Sequence, residues 1–169
     1  TVIDSGLVRR SGWDPYRGMD TLHLTKISKA SAAQRAGRAG RVAPGRCFRL
    51  WSEAEQARKA DFDPPECFRV DLAGAVLNLA AWGITAPEGF RWLDAPDPLV
   101  MQRAVNLLAA LGATEADGSL TDVGRRMTAF PLPPRLARLM AAGQDEQCVV
   151  ELAAIAALMQ GEGVAMKGG

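Results

Sequence analysis

Hydrophobic and polar residues alternate with a period of two in the first part of the chain. Residues 1–4 have the composition of the end of a buried strand, and residues 21–25 alternate like a second strand. Between them, residues 11–18 are rich in Ser, Gly, Asp and Pro, which is typical of a turn. The pattern therefore predicts a β-hairpin over about 7–25.

A second alternating segment covers residues 45–51 and predicts another strand. Its inward positions are expected to be Cys47 and either Phe48 or Leu50. A short polar helix is expected to follow it, up to about residue 60.

Beyond residue 70 the apolar residues recur at helical spacing. The predicted helices cover 71–82, 97–111, 122–129, 134–142 and a last segment capped by Asp145. Glycines at the expected ends, Gly83, Gly112 and Gly143, support the first, second and fourth of these helices. Asp117 and Gly118 predict a tight turn. The last helix has too little chain beside it to cover its apolar face, so that face is expected to be exposed.

The stretch from Gln34 to Arg41 places three arginines and a glutamine among residues with very small side chains. Ser31 has capping-box spacing to Gln34 and predicts a helix start there. At about 100° per residue, Gln34, Arg38 and Arg41 lie within roughly 60° of one another, and Arg35 points about 100° away from Gln34. Guanidinium groups one turn apart match phosphate oxygens well, so the stripe favours a polyanion. The alternative is a solvated basic helix end.

Charge is distributed unevenly along a chain whose net charge is +1. Residues 1–51 hold ten Lys and Arg against three Asp, whereas the remainder holds ten against sixteen Asp and Glu. The basic first third therefore indicates an anionic partner, and the acidic remainder does not indicate a nucleic-acid surface. Mutual neutralisation of the two parts is an alternative that is compatible with this interpretation.

Composition indicates a globular protein, with 48% hydrophobic and 23% charged residues. The three cysteines are odd in number and far apart, which favours reduced thiols in a cytoplasmic protein over disulfides or a metal site. No signal peptide and no apolar run of about 18 residues is visible, so no membrane association is expected. Both ends are expected to be cuts within a longer protein.

The stretch from Gln34 to Arg41 resembles the last conserved motif of the DEAH-box helicases of superfamily 2. Three further segments fit the same family in the same order: Ile27 to Ser31, Pro44 to Leu50 and Phe130 to Leu136. Ala36, Ala39 and the segment Ala81 to Gly83 most resemble the bacterial HrpB type.

This resemblance implies an α/β plus α chain in three parts. Residues 1–63 would be the end of the second RecA-like domain, with the hairpin at about 7–25 and the arginine-finger motif at 34–41. Residues 64–130 would form a winged helix, which in this family serves mainly as an internal connector. Residues 131–169 would begin the helical ratchet domain.

The resemblance also implies half of an ATP site. Arg38 and Arg41 would be arginine fingers on the γ-phosphate, and Gln34 would contact that phosphate or the attacking water. Arg35 belongs to the same nucleotide-binding set but is expected mainly to brace the local structure. The sequence contains no Gly-x-x-x-x-Gly-Lys-Ser/Thr and no Asp-Glu-Ala-His, so ATP and Mg²⁺ would be held together with the first RecA-like domain, and the chain alone should not hydrolyse ATP.

For the hairpin, the resemblance implies contact with RNA or single-stranded DNA. The candidate residues are Arg9, Arg10, Trp13, Tyr16 and Arg17, since arginines reach phosphates and aromatic rings stack on bases. The alternative is an exposed loop whose Trp13 packs on its own strands.

The resulting hypothesis is a segment of an ATP-dependent RNA helicase. The rival from another class is a non-catalytic winged-helix module that binds nucleic acid, against which the acidic balance of residues 52–169 argues. A scaffold with a degenerate helicase domain is a third possibility, against which the intact Gln34, Arg38 and Arg41 argue.

Overall fold

A computed structural model describes residues 1–14 and 19–160 of the 169-residue chain. The chain divides into two units, Thr1–Val70 and Asp71–Gly169. The unit boundary lies a few residues beyond the predicted boundary at 63/64, and the predicted division into three domains stays a prediction. None of the helices in the described ranges is long and apolar enough to cross a membrane.

The first unit contains two separate two-stranded sheets. Its strands are β1 (Val2–Asp4), β2 (Leu7–Asp14), β3 (Met19–Lys26) and β4 (Cys47–Arg49). Strands β1 and β4 pair in parallel, and β2 and β3 pair antiparallel from Leu7 opposite Lys26 to Asp14 opposite Met19. The predicted hairpin and the predicted strand after the arginine-rich stretch are therefore confirmed.

The predicted inward orientation of Phe48 or Leu50 is wrong. Phe48 is 53% exposed and Leu50 is 65% exposed. Ile3, which lies opposite Phe48 on the neighbouring strand, is 72% exposed. In the described part of this unit no element covers that face of the two-stranded sheet, so its apolar side chains stay uncovered. Cys47 is half-buried, as predicted.

Helix α1 (Lys29–Gly37) begins earlier than predicted. Its N-cap is Ser28, whose hydroxyl accepts a hydrogen bond from the Ser31 amide at 3.1 Å, so Ser31 lies inside the first turn. The Lys29 and Ala30 amides donate to the carbonyls of Ala60 and Asp61. Because a distant segment satisfies these first-turn donors, the helix starts where tertiary contacts allow and not at the local capping-box signal.

Two further helical segments complete this unit. A 3-10 turn at Arg38–Gly40 continues α1 directly, and α2 spans Glu53–Arg58 with Ser52 as its N-cap. A second 3-10 turn lies at Glu66–Phe68.

The second unit is helical. It contains α3 (Ala73–Ala81), α4 (Pro98–Ala110), α5 (Asp122–Thr128), α6 (Pro134–Asp145), α7 (Val149–Gln160) and a 3-10 turn at Pro87–Gly89. Asp97 caps α4, and Gly83 and Gly112 follow α3 and α4 with φ of +83° and +67°, as predicted for helix ends. A bridge between Thr114 and Leu120 closes the predicted tight turn.

Helical periodicity located part of the core of this unit. Among the residues that the helical spacing predicts to be apolar and inward, Leu72, Val76, Leu79, Ala104 and Leu108 are less than a tenth exposed. Three others on the same predicted face of α4 are only half-buried: Val100, Leu107 and Leu111. Met127 from α5 and Leu136 and Met140 from α6 are also buried.

The predicted end of α6 at Gly143 and the predicted cap of α7 at Asp145 are wrong. Helix α6 runs to Asp145, and the chain turns at Gln147, which has φ of +58°. An added Cβ at Gly143 would lie 2.9 Å from Leu152 Cδ1, so this glycine permits close approach of α7 and does not end the helix. The predicted exposure of the apolar face of α7 is confirmed in part within the described ranges: on that face Ile155 is 46% and Met159 45% exposed, whereas Ala156 is buried.

Candidate functional site

The arginine-rich stretch is only partly α-helical. Helix α1 ends at Gly37, and the 3-10 turn at Arg38–Gly40 winds the chain more tightly. The side chains of Gln34, Arg38 and Arg41 are all exposed, as a stripe that faces a ligand requires. The change of helix type alters the angles that a continuous α-helix predicts, but it keeps the donors at the surface.

Arg38 and Arg41 line one open cavity of about 590 Å³ together with a third arginine, Arg46. The other lining residues are small or apolar, and none of the described residues around the cavity is acidic. Within the described ranges these three guanidinium groups make no hydrogen bond or ion pair with another side chain. Gln34 does not line the cavity. The geometry therefore provides a site with a high density of positive charge and free donors, which suits a phosphate chain.

Sequence reasoning missed Arg46. Its carbonyl accepts a hydrogen bond from the Val2 amide at 2.9 Å, so the first residue before β4 is fixed to β1. The preceding Gly45 touches the 3-10 turn so closely that an added Cβ would lie 1.9 Å from the Ala39 carbonyl oxygen. The Pro44 and Gly45 pair was the available signal, since such a pair marks a turn that returns the chain to its neighbour.

Arg35 points away from this cavity. Its Nη1 donates to Asp4 Oδ1 at 2.9 Å and to the Leu7 carbonyl at 3.0 Å. The Asp4 side chain is only 1% exposed and also accepts from the Gly6 amide. These contacts join α1 to β1 and have the form expected of a bracing residue; a direct role of Arg35 in nucleotide binding stays a prediction.

The hairpin separates the predicted nucleic-acid contacts onto two faces. In an antiparallel pair, residues directly opposite share a face, so Arg9 lies beside Leu24 and Arg10 beside His23. Arg9 and Leu24 are exposed, whereas Arg10 forms an ion pair with Asp63. The structure thus brings Arg9 and Trp13 to one face and places Arg10 on the other.

Trp13 is half-buried, and its amide donates to the Arg69 carbonyl at 2.9 Å. The Arg69 side chain in turn donates to the Ser11 carbonyl at 2.8 Å, so the edge of β2 is anchored within its own unit. Tyr16 and Arg17, which were predicted as further contacts, lie outside the described residues.

Potential metal ligands do not cluster in the part of the chain that the structure describes. No group of three or more His, Cys, Asp or Glu side chains that could hold a metal ion occurs there. That the ligands of Mg²⁺ lie outside this chain stays a prediction.

Almost the whole of this chain is similar in sequence to known proteins. A family model described as the helicase associated domain (HA2), winged-helix, matches residues 104–132. The pre-mRNA-splicing factor ATP-dependent RNA helicase prp22 of Schizosaccharomyces pombe is 39% identical over 159 residues, which are 94% of this chain and 14% of that protein.

Two solved structures are similar in fold and sequence. The Escherichia coli DEAH/RHA helicase HrpB matches with a TM-score of 0.78 and 34% identity over 96% of this chain and 21% of that one. A second structure, the E. coli DExH-box NTPase HrpB, matches with a TM-score of 0.72 and 34% identity over 96% of this chain and 20% of that one. The chain therefore spans about a fifth or less of the length of these relatives.

Proposed function

We propose that the chain is a segment of a DEAH-box RNA helicase and that it supplies the arginine-finger half of the ATP site of this ATP-dependent enzyme. The observation that carries this proposal is the cavity in which Arg38 and Arg41 are exposed, free of partners within the described ranges and without a neighbouring carboxylate. Arginines that served only structure would be expected to bind acids or carbonyls, as Arg10 and Arg35 do.

The chemistry needs charge stabilisation more than covalent participation. During hydrolysis of ATP, negative charge spreads over the γ-phosphate oxygens, and guanidinium groups held in place stabilise it at no cost of reorganisation. Arg38 and Arg41 take this role. Gln34 is exposed but does not line their cavity, and we assign it to the γ-phosphate or the attacking water at the edge of the site. The P-loop lysine and the ligands of Mg²⁺ come from the first RecA-like domain of the same protein, outside this chain.

The hairpin couples this site to a nucleic acid. We assign RNA, or single-stranded DNA, to the face that carries Arg9 and Trp13, with Tyr16 and Arg17 as further candidates. Arg9 would contact phosphates and Trp13 would stack on a base. Arg10 lies on the other face and is paired with Asp63, so we expect it to contribute less than an arginine on the proposed binding face.

The domain roles follow from the same assignment. Residues 1–63 would complete the second RecA-like domain, 64–130 would form the winged-helix connector, and 131–169 would begin the ratchet domain. The winged-helix match at 104–132 supports the second of these. We also propose a cytoplasmic location for the protein.

The test is RNA-stimulated ATP hydrolysis by the full-length protein, native beside Arg38→Ala. Loss of an arginine finger typically costs on the order of 10³ to 10⁵ in kcat. Arg103→Ala serves as the control, since it removes an exposed arginine of α4 that does not line the cavity. A native protein without activity, or an Arg38→Ala variant with native kcat, would contradict the proposal and favour a non-catalytic nucleic-acid-binding module.

A further inference from the structure

We propose that Arg46 is a third nucleotide-binding arginine, which contacts a phosphate that is not transferred in the reaction. This inference rests on the proposed function, because it takes the nucleotide to be the ligand of the cavity that Arg38 and Arg41 line. Arg46 lies outside the arginine-rich stretch, and the phosphate that it would contact is present in both ATP and ADP.

The first observation is that the charge at this cavity is not compensated by the described residues. Three other arginines of the first unit have hydrogen-bonded partners: Arg10 pairs with Asp63, Arg35 pairs with Asp4, and Arg69 donates to carbonyls. In contrast, Arg46 lines the same cavity as Arg38 and Arg41 and has no partner within the described ranges. Three guanidinium groups around one cavity repel one another, so a polyanionic ligand removes an unfavourable interaction as well as making new hydrogen bonds.

The second observation is that the position of Arg46 is fixed by backbone contacts. The hydrogen bond from the Val2 amide holds its carbonyl, and β4 begins at the next residue. On its other side, Gly45 lies against the Ala39 carbonyl with no room for a side chain. Arg46 is therefore held beside the 3-10 turn that carries Arg38, and little backbone entropy would be lost when it binds a ligand.

The division of roles follows from the number of phosphates. Arg38 and Arg41 are assigned to the terminal phosphate, on which charge develops during hydrolysis. A third guanidinium group in the same cavity then has the remaining phosphates as its ligands. Because those phosphates change little during the reaction, Arg46 stabilises bound nucleotide and transition state alike, and its loss raises KM with kcat largely unchanged.

The experiment uses the full-length protein and two probes, a fluorescent ADP analogue for equilibrium binding and ATP for steady-state hydrolysis. Arg46→Ala should weaken ADP binding and raise KM for ATP by about tenfold each, as expected for the loss of one charge-assisted contact. Arg46→Lys should restore part of the affinity because it restores the charge without the planar donor fork. Arg46→Gln keeps much of the length of the side chain and checks that the loss of charge, and not a disturbed strand, causes the change.

Three results would overturn the proposal. If Arg46→Ala and Arg46→Gln bind ADP with native affinity while Arg38→Ala still abolishes hydrolysis, Arg46 has no role and the proposed function stands. If the Arg46 variants bind RNA more weakly but ADP normally, the ligand of Arg46 is a nucleic-acid phosphate. If Arg46→Ala lowers kcat as strongly as Arg38→Ala, its contact is with the transferred phosphate. A native kcat in Arg38→Ala would instead reject the proposed function itself.

Discussion

Replacing Arg35 with alanine should loosen the junction between α1 and β1 and leave nucleotide affinity unchanged. The variant removes a guanidinium group that donates to Asp4 at 2.9 Å and to the Leu7 carbonyl at 3.0 Å. The Asp4 carboxylate would remain at 1% exposure with the Gly6 amide as its donor. Its Oδ2 already has no hydrogen-bond partner among the described residues, so no second donor is in place to compensate.

The magnitude can be bounded from these contacts. Removing one member of a buried ion pair costs about 3–5 kcal/mol, because the other charge stays buried and unpaired. The Arg35 side chain is 29% exposed, so water can enter where it was and reduce this cost. We therefore expect a loss of about 2–3 kcal/mol in local stability.

Amide hydrogen exchange in the full-length protein is the suitable assay, because it reports the opening of one segment in a chain of several domains. A loss of this size corresponds to exchange about 30- to 150-fold faster in β1 and α1. Lys29→Ala is the matched control on the same helix: its ion pair with Asp61 is 39% and 74% exposed and is expected to contribute at most about 1 kcal/mol. Asp4→Asn in the Arg35→Ala background should recover part of the protection, because it removes the unpaired charge.

One outcome would refute this reasoning. If Arg35→Ala exchanges no faster than Lys29→Ala and instead raises KM for ATP, Arg35 contacts the nucleotide directly and its bond to Asp4 is incidental. That result would support the nucleotide-binding role which the sequence alone suggested for Arg35.

Two further predictions concern Gly45 and Asp145. Gly45→Ala should weaken ADP binding as Arg46→Ala does, because a Cβ 1.9 Å from the Ala39 carbonyl oxygen must displace the backbone. Gly89→Ala is the control and should not weaken ADP binding, since the space around its Cβ is open. Equal ADP affinities of the two variants would contradict this prediction. Arg126 donates hydrogen bonds of 2.5 and 3.1 Å to Asp145 and thereby lowers the pKa of that carboxyl group. The pair therefore stabilises the folded state at pH values above the ordinary carboxyl pKa. This contribution is lost as pH falls through the lowered pKa. Asp145→Asn should therefore lower the unfolding temperature of this region at neutral pH, and the decrease should become smaller as pH falls below the ordinary carboxyl pKa. A decrease that does not change with pH would contradict the assignment.

The sequence by itself determined the elements whose signals are local. The cap at Asp97 and the glycines at 83 and 112 act within one turn of the helix they bound, so α3 and α4 were predicted close to their observed limits. The hairpin was also predictable, because alternation and a turn-rich loop suffice for two neighbouring strands. The order of short motifs along the chain likewise indicated the family, since such motifs are contiguous in sequence.

Tertiary structure decided what depends on partners far along the chain. Arg10 meets Asp63 and Arg35 meets Asp4 across 53 and 31 residues, so their pairing could not be read from a helical angle or a strand period. The start of α1 at Ser28 depends on carbonyls at positions 60 and 61, and the role of Gly143 depends on the approach of α7.

The site shows the same division. Spacing in the sequence placed Arg38 and Arg41 together, because both belong to one short helical stretch. Only the fold showed that Arg46 joins them, since a close backbone contact at Gly45 and the pairing of β4 with β1 return the chain to the 3-10 turn. Whether a charged side chain is left unpaired is also decided by the fold, because it depends on where the tertiary structure places all possible partners.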